Sequence, residues 1–204
     1  MRIIILFTFI STFSYSQKHK LVLGNSNQLC IFDDTLFVIN DSLPPKLSEY
    51  KSIYIFSNSS SILSLNDAIT ISKFVQNGGG LYLGAENWPL QAESNQLTLL
   101  LFNKEAYGEY DAESAESKSK NVNLKLNELE EVTPGNTTIA FPLDYRLKVE
   151  AWIEDQPLIL SGEIGKGRII IDGGYSRFYC TNWNDGVAKI MTRFGKYLEE
   201  GDSG

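Results

Sequence analysis

The stretch from Ser52 to Leu83 constrains the fold of this chain more than any other. Ser52-Ile53-Tyr54-Ile55-Phe56 reads as a strand and is followed by the polar loop 57–61. Ser64 then stands as a helix N-cap with Asp67 three residues on, a variant of the capping box, and Leu63 and Ala68 occupy the hydrophobic-staple positions. The spacing predicts a helix to about Asn77, with Leu65, Ala68, Ile69, Ser72 and Val75 near one face and Phe74 beside it. Gly78-Gly79-Gly80 stops that helix, because glycine accepts the left-handed geometry of a helix end. Leu81-Tyr82-Leu83 follows at once as a second strand. Strand, helix and strand in this order form a βαβ unit with a right-handed crossover. Its two strands belong side by side or nearly so in a parallel sheet covered on both faces.

The rest of the chain extends this plan. With 43% hydrophobic and 21% charged residues, 204 residues suffice for one core, and no repeat or Pro-rich linker divides them. Leu21–Leu23, Leu29–Phe32 and Thr35–Ile39 are short apolar runs, and Gln91–Phe102 reads as a helix. Residues 105–120 are acidic and weakly apolar, an exposed excursion. Val122, Leu124 and Leu126 alternate within a half-buried strand over 118–126. Pro157–Ser161 and Arg168–Asp172 read as strands joined by the glycine-rich turn Gly162–Gly167. A final amphipathic helix spans Val187–Leu198, with Val187, Ile190, Met191, Phe194 and Leu198 near one face. Residues 201–204 are a polar tail.

Residues 1–16 have the layout of a secretory signal. Arg2 is the positive start, Ile3–Ile10 the apolar run, and Ser14-Tyr15-Ser16 supplies small residues before a cut at Gln17. The competing reading is a buried first strand, since Ile3-Ile4-Ile5-Leu6-Phe7 favours β structure. The apolar run falls short of the roughly 20 residues that span a bilayer. The expectation is therefore an exported chain, periplasmic or secreted, with a single domain over 17–200 and no membrane span after cleavage. Export leaves two readings of Cys30 and Cys180: one disulfide across a very long loop, or two buried thiols. The Cα separation decides between them.

Several chemistries are excluded. A net charge of -7 without a basic cluster does not suit nucleic acid. His19 is the sole histidine, so no two-histidine mechanism is available, and two cysteines cannot build a multi-thiolate metal site. Asp33, Asp34 and Asp41 lack the ligand spacing of a calcium loop. Gly162–Gly167 lacks the spacing and hydroxyl of a phosphate loop, and Gly78-Gly79-Gly80 precedes a strand rather than a helix. No metal or cofactor is expected.

Two segments carry a family resemblance. Phe74-Val75-Gln76-Asn77-Gly78-Gly79-Gly80-Leu81-Tyr82-Leu83 resembles the helix, glycine run and strand of class I glutamine amidotransferase-like domains. Gly165-Lys166-Gly167-Arg168-Ile169-Ile170-Ile171-Asp172-Gly173-Gly174 resembles their closing hairpin and last strand. The resemblance implies a flavodoxin-like three-layer α/β sandwich, mostly parallel, with a C-terminal β-hairpin and helix. It also implies a catalytic cysteine on the turn after Leu81–Leu83 and a histidine downstream. Here Glu86 stands in the cysteine's place, and no histidine follows His19. Thiolate chemistry needs both groups, so the amidotransferase activity is not expected.

The candidate site follows from the topology. Parallel strands put their carboxyl ends together, and such folds bind ligands there. Glu86, Asn87 and Trp88 are thus expected to share one end of the sheet with Asp172, Tyr175 and Arg177, with Arg177 paired to Glu86 or Asp172. Trp183 and Tyr179 lie in the following loop, and Trp152 completes the set of aromatic residues considered. Rings there either cap the core or stack on a ligand. Two functions follow: a non-catalytic domain binding a protein or carbohydrate through its loop face, or a hydrolase of glycan or peptide using Glu86 and Asp172. A glycosidase would hold two carboxylates about 5–9.5 Å apart across a cleft. On the binding reading, Trp88→Ala and Arg177→Ala are both expected to leave the fold intact.

Overall fold

The computed structural model describes residues 19–30, 36–111, 124, 132 and 135–200. The signal segment 1–16, Asp33 and Asp34, all of the strand expected over 118–126 except Leu124, and the tail 201–204 lie outside the described residues.

Seven strands form one sheet. They are β1 (His19–Gly24), β2 (Phe37–Ile39), β3 (Tyr50–Phe56), β4 (Gly80–Gly84), β7 (Leu147–Ile153), β8 (Gln156–Ile164) and β9 (Gly167–Asp172). Their order is β2-β1-β3-β4-β9-β8-β7. The first five run parallel, with β3 and β4 adjacent as the βαβ reading required. β8 and β7 close the sheet antiparallel. A separate antiparallel pair, β5 (Tyr107–Asp111) and β6 (Thr137–Ala140), joins the acidic excursion to a segment with no strand expected.

Alternation along the central strands sorts their side chains into two layers. Ile53, Ile55, Leu81 and Leu83 pack with Ala68, Ile71 and Val75 of α1 (Leu65–Gln76) and with Leu97 and Phe102 of α2 (Ala92–Phe102). Tyr54, Phe56 and Tyr82 face the other way, onto Val187, Ile190, Phe194 and Leu198 of α3 (Asp185–Glu199). This is a three-layer, flavodoxin-like α/β sandwich. Its helix signals hold in detail: Ser64 Oγ accepts from Asp67 N and the Asp67 carboxylate accepts from Ser64 N, the reciprocal box that satisfies two orphan donors.

Two local expectations are corrected. Leu65, the first helical residue, is 65% exposed and Ile69 half-buried, and the buried stripe of α1 is Ala68, Ile71, Ser72 and Val75, spaced three and four residues apart on one face. The turn between β8 and β9 is Gly165-Lys166 alone, since Gly162, Glu163 and Ile164 all pair with β9. Glu154 and Asp155, both with left-handed backbone (φ 47° and 60°), form the two-residue turn that joins β7 to β8.

Candidate binding site

β4 and β9 are neighbours in register, with Gly84 opposite Asp172, so the loops after them start side by side. Ala85 N donates to the Asp172 carbonyl (2.8 Å), and Tyr175 N donates back to the Ala85 carbonyl (3.3 Å). The clustering expected from topology is thus present at one end of the sheet: Glu86, Asn87, Asp172, Tyr175 and Arg177 adjoin one another. Trp152 lies at the same end of the sheet but is set two strands to the side, on edge strand β7, outside the hydrogen bonds that join the cluster.

Most of the cluster is closed to solvent. Asp172 and Arg177 are both 0% exposed, and Arg177 Nη2 donates to Asp172 Oδ1 at 2.9 Å. Tyr82 OH donates to Asp172 Oδ2 (2.8 Å), and Gly174 N donates to Asp172 Oδ1 (3.0 Å). Arg177 Nε donates to the Gly174 carbonyl (2.9 Å). Burial pushes the Asp172 carboxyl up, while the Arg177 guanidinium, the Tyr82 hydroxyl and the Gly174 amide oppose it. Arg177 therefore closes on Asp172 rather than Glu86, and it buttresses the turn after β9. The expectation that Arg177→Ala leaves the fold intact does not survive this burial. Tyr175 is likewise buried, its hydroxyl donating to the Ser57 carbonyl and accepting from Asn25. The two carboxylates do not face each other across an open cleft.

Glu86 is 2% exposed, at the turn after β4. Its Oε1 accepts from Ser176 N at 2.7 Å, and its Oε2 lies 3.3 Å from Thr137 Oγ1. The Thr137 hydroxyl has a closer acceptor in Asn87 Oδ1, at 2.7 Å. With the hydroxyl hydrogen on Asn87, a protonated Glu86 donates to Thr137. This agrees with a carboxyl pushed up to about 7, chiefly by burial and against the Ser176 hydrogen bond.

A stability prediction follows from that value. Between the ordinary carboxylate range and about pH 7, folded Glu86 keeps a proton that the unfolded chain has lost. Stability contributed here therefore falls as pH rises through that window, by about 3 kcal/mol at roughly 1.4 kcal/mol per unit. Asp172 adds a slope of the same sign, so the comparison of variants isolates Glu86. Glu86→Gln keeps an acceptor for Ser176 N and a donor for Thr137, and its urea midpoint should fall less between about pH 5 and about pH 8 than the wild type's, keeping only the Asp172 share of the slope. A wild-type slope retained in Glu86→Gln would assign the titration to another group.

Thr137 reaches the site because of a glycine. A Cβ on Gly173 would collide with the Ile139 carbonyl oxygen, and Ile139 N donates to the Gly173 carbonyl at 2.9 Å. This close approach lays β6 against the turn after β9. It delivers Asn136, whose N–H donates to Ser176 Oγ (2.8 Å) and whose Oδ1 accepts from Asn182 Nδ2 (3.0 Å). Asn182 Nδ2 also donates to the Ser176 carbonyl. None of Asn136, Thr137, Ser176 or Asn182 was singled out from sequence. The β-branched run Thr137-Thr138-Ile139 carried a strand signal, but nothing in it pointed to this end of the sheet.

Two other features hold the loops. Glu93 in the first turn of α2 is buried and accepts from Asn58 N, Asn58 Nδ2 and Ile62 N, at 2.7, 2.9 and 3.0 Å, which pins the loop after β3. Its sequence signal is an acid in a first helical turn, ordinary for the helix dipole. Cys30 and Cys180 form a disulfide with Cα atoms 4.8 Å apart, tying the loop after β1 to the loop after β9. Beside it Leu29 and Tyr179 make an antiparallel bridge.

What remains open to solvent is the outer rim. Trp88 is 74% exposed, Asn136 is exposed, and Asn87, Thr137, Asn182 and Trp183 are half-buried. Trp183 leans on Phe178, ring centroids 6.5 Å apart. Of the aromatic set, Tyr175 caps the core while Trp88 faces water. Among the described residues no group of three or more His, Cys, Asp or Glu could hold a metal ion, and no helix is long and apolar enough to cross a membrane.

No family model matches the sequence, and no curated protein does. Solved structures do match in fold. The mmIFT52 N-terminal domain superposes with a TM-score of 0.68 at 10% identity, covering 90% of this chain and 99% of that one. A ThuA-like protein from Bacteroides uniformis gives 0.62 at 11% identity, covering 97% and 98%. The cytoplasmic protein STM1381 from Salmonella typhimurium LT2 gives 0.61 at 15% identity, covering 79% and 82%. At these identities the likeness is one of fold.

Proposed function

We propose that this chain is an exported, divergent class I glutamine amidotransferase-like domain that has no amidotransferase chemistry and binds a ligand or protein partner through its loop face. The observation that carries the reading is Glu86. It occupies the turn where the resemblance puts the nucleophilic cysteine, and its carboxyl group is taken up by Ser176 and Thr137 in a closed pocket. His19 begins β1, at the opposite end of the sheet, out of reach of any group on that turn. The loops there are rigidly held from beneath by Asp172–Arg177, Glu93 and the disulfide, while their outer rim stays open. Such a rigid base under an open rim suits recognition, because little ordering entropy remains to be lost on binding. Export is supported by the layout of residues 1–16 and by the Cys30–Cys180 pair, which persists in oxidising compartments.

One experiment addresses both halves. The full chain, with a photo-reactive phenylalanine analogue in place of Trp88, is irradiated in its producing cells and recovered from the extracytoplasmic fraction. The recovered chain should begin at or near Gln17 and carry a crosslinked glycan or protein. A cytoplasmic chain with Met1 intact would overturn export, and a chain without adduct from position 88 would overturn recognition through this face.

A further inference from the structure

We propose that the ligand of this face is a neutral carbohydrate, held by Asn87, Thr137, Asn136 and Asn182 between Trp88 and Trp183. The proposal rests on the binding reading above and names its ligand class. The four polar side chains form one continuous row: Thr137 Oγ1 to Asn87 Oδ1 at 2.7 Å, the chain step from Thr137 to Asn136, and Asn182 Nδ2 to Asn136 Oδ1 at 3.0 Å. Trp88 adjoins one end of the row in sequence, and Trp183 adjoins the other.

The bonds within the row fix which groups are left over. Asn87 and Asn136 each use the amide oxygen, and Asn182 uses the amide nitrogen. Among the described residues this leaves Asn87 Nδ2 and Asn136 Nδ2 as donors and Asn182 Oδ1 as an acceptor. The row therefore offers both senses of hydrogen bond from side chains already held in place. A sugar hydroxyl needs that mixture, since it donates and accepts at once.

Charge supports the same class. In the described loops at this face, 85–91, 135–136 and 173–184, the charged side chains are Glu86, at 2% exposure, and Arg177, at 0%. Both are bound into the buried network, so the described residues of these loops present no accessible charge; the next charged side chain along the chain is Asp185, exposed at the start of α3, whose sign disfavours a phosphate or an acidic peptide. Beside the row, Trp88 exposes a large flat apolar surface where an aromatic ring would ordinarily be covered. The apolar C–H face of a pyranose matches such a ring while its edge hydroxyls reach the amides. A protein partner would more commonly bring a larger apolar patch than one indole.

The test uses the full mature chain and a defined neutral panel: the hexasaccharides of cellulose, xylan, laminarin, mannan, amylose and chitin. Tryptophan emission and calorimetry are read at up to about 10 mM, a range that still detects weak single-site binding. At least one of these sugars should bind and shift the emission. Trp88→Ala should weaken that binding about tenfold or more, and Asn136→Ala by a smaller factor, with unchanged melting temperatures. Trp152→Ala, on edge strand β7 two strands beyond β9, should bind as wild type. Absence of binding across the panel overturns the sugar assignment. So does sugar binding that is indifferent to Trp88 and Asn136. A protein adduct from position 88 in the crosslinking experiment, with no binding in the panel, would leave recognition through this face standing and remove only the ligand class.

Discussion

Arg177→Ala should destabilise the fold by about 3–5 kcal/mol, the usual cost of removing one partner from a fully buried ion pair. The variant leaves the Asp172 carboxyl inside the protein with only Tyr82 OH and Gly174 N as donors. It also removes the Nε bond that holds the Gly174 carbonyl, so the turn carrying Tyr175 and Ser176 loses its anchor. Without the guanidinium the Asp172 carboxyl rises further and takes up a proton. The loss should therefore be smaller in acid, where that proton is available, than at neutral pH. Urea unfolding midpoints of wild type and variant across that range check both the size and the sign. Asp172→Asn combined with Arg177→Leu removes both charges together and should cost much less than the two single changes summed. An Arg177→Ala chain as stable as wild type would mean that the pair does not hold this turn.

Removing the disulfide should have an effect of similar size by another route. Cys30 and Cys180 are 150 residues apart, so the bond restrains nearly the whole described chain in its unfolded state. In the chain-entropy account a loop of this length contributes up to about 5 kcal/mol. For a domain of this size that corresponds to a melting temperature lower by about 10–20 °C in Cys30→Ser/Cys180→Ser. Reductant should lower the wild-type melting temperature by the same amount and leave the double variant unmoved. Local packing at the bridge is slight, because Cys180 is exposed and Cys30 half-buried. A double variant that melts with the wild type would show that other contacts, such as the Leu29–Tyr179 bridge, already confine these loops.

The two predictions bear on function through the same turn. Residues 173–182 carry Asp172's partner, the Ser176 amide that binds Glu86, and Asn182 on the rim. Weakening the base should loosen the rim. Trp88→Ala, by contrast, removes an exposed ring and should leave stability unchanged.

Local signals along the sequence determined the core of the fold. The strand Ser52–Phe56, the Ser64 cap, the glycine stop and the strand Leu81–Leu83 each depend on neighbours within a few residues, and a parallel βαβ unit follows from them. Parallel order in turn brings the ends of β4 and β9 together, which is why Glu86 and Asp172 were readable as one site. The same arithmetic of residue types, Glu86 at the elbow and His19 alone far upstream, set aside the amidotransferase chemistry. The sequence left open whether Cys30 and Cys180 pair, since that depends on a distance between residues 150 positions apart.

The tertiary structure decided what local patterns could not carry. Arg177 is fully buried at the end of β9, against Asp172, the Gly174 carbonyl and the Phe178 ring, so of the two partners open to it the fold chose Asp172 and closed the pair off from solvent. β5 and β6 escaped the reading because these satellite strands are short, partly polar and paired with each other across a long intervening segment, whereas β7 carried its own alternation at Leu147, Val149, Ala151 and Ile153 and was legible but not read. The row Asn87, Thr137, Asn136 and Asn182 joins three loops drawn from separate parts of the chain. It exists because Gly173, lacking a side chain, lets β6 approach the turn after β9, a contact between positions more than thirty residues apart that no local propensity encodes.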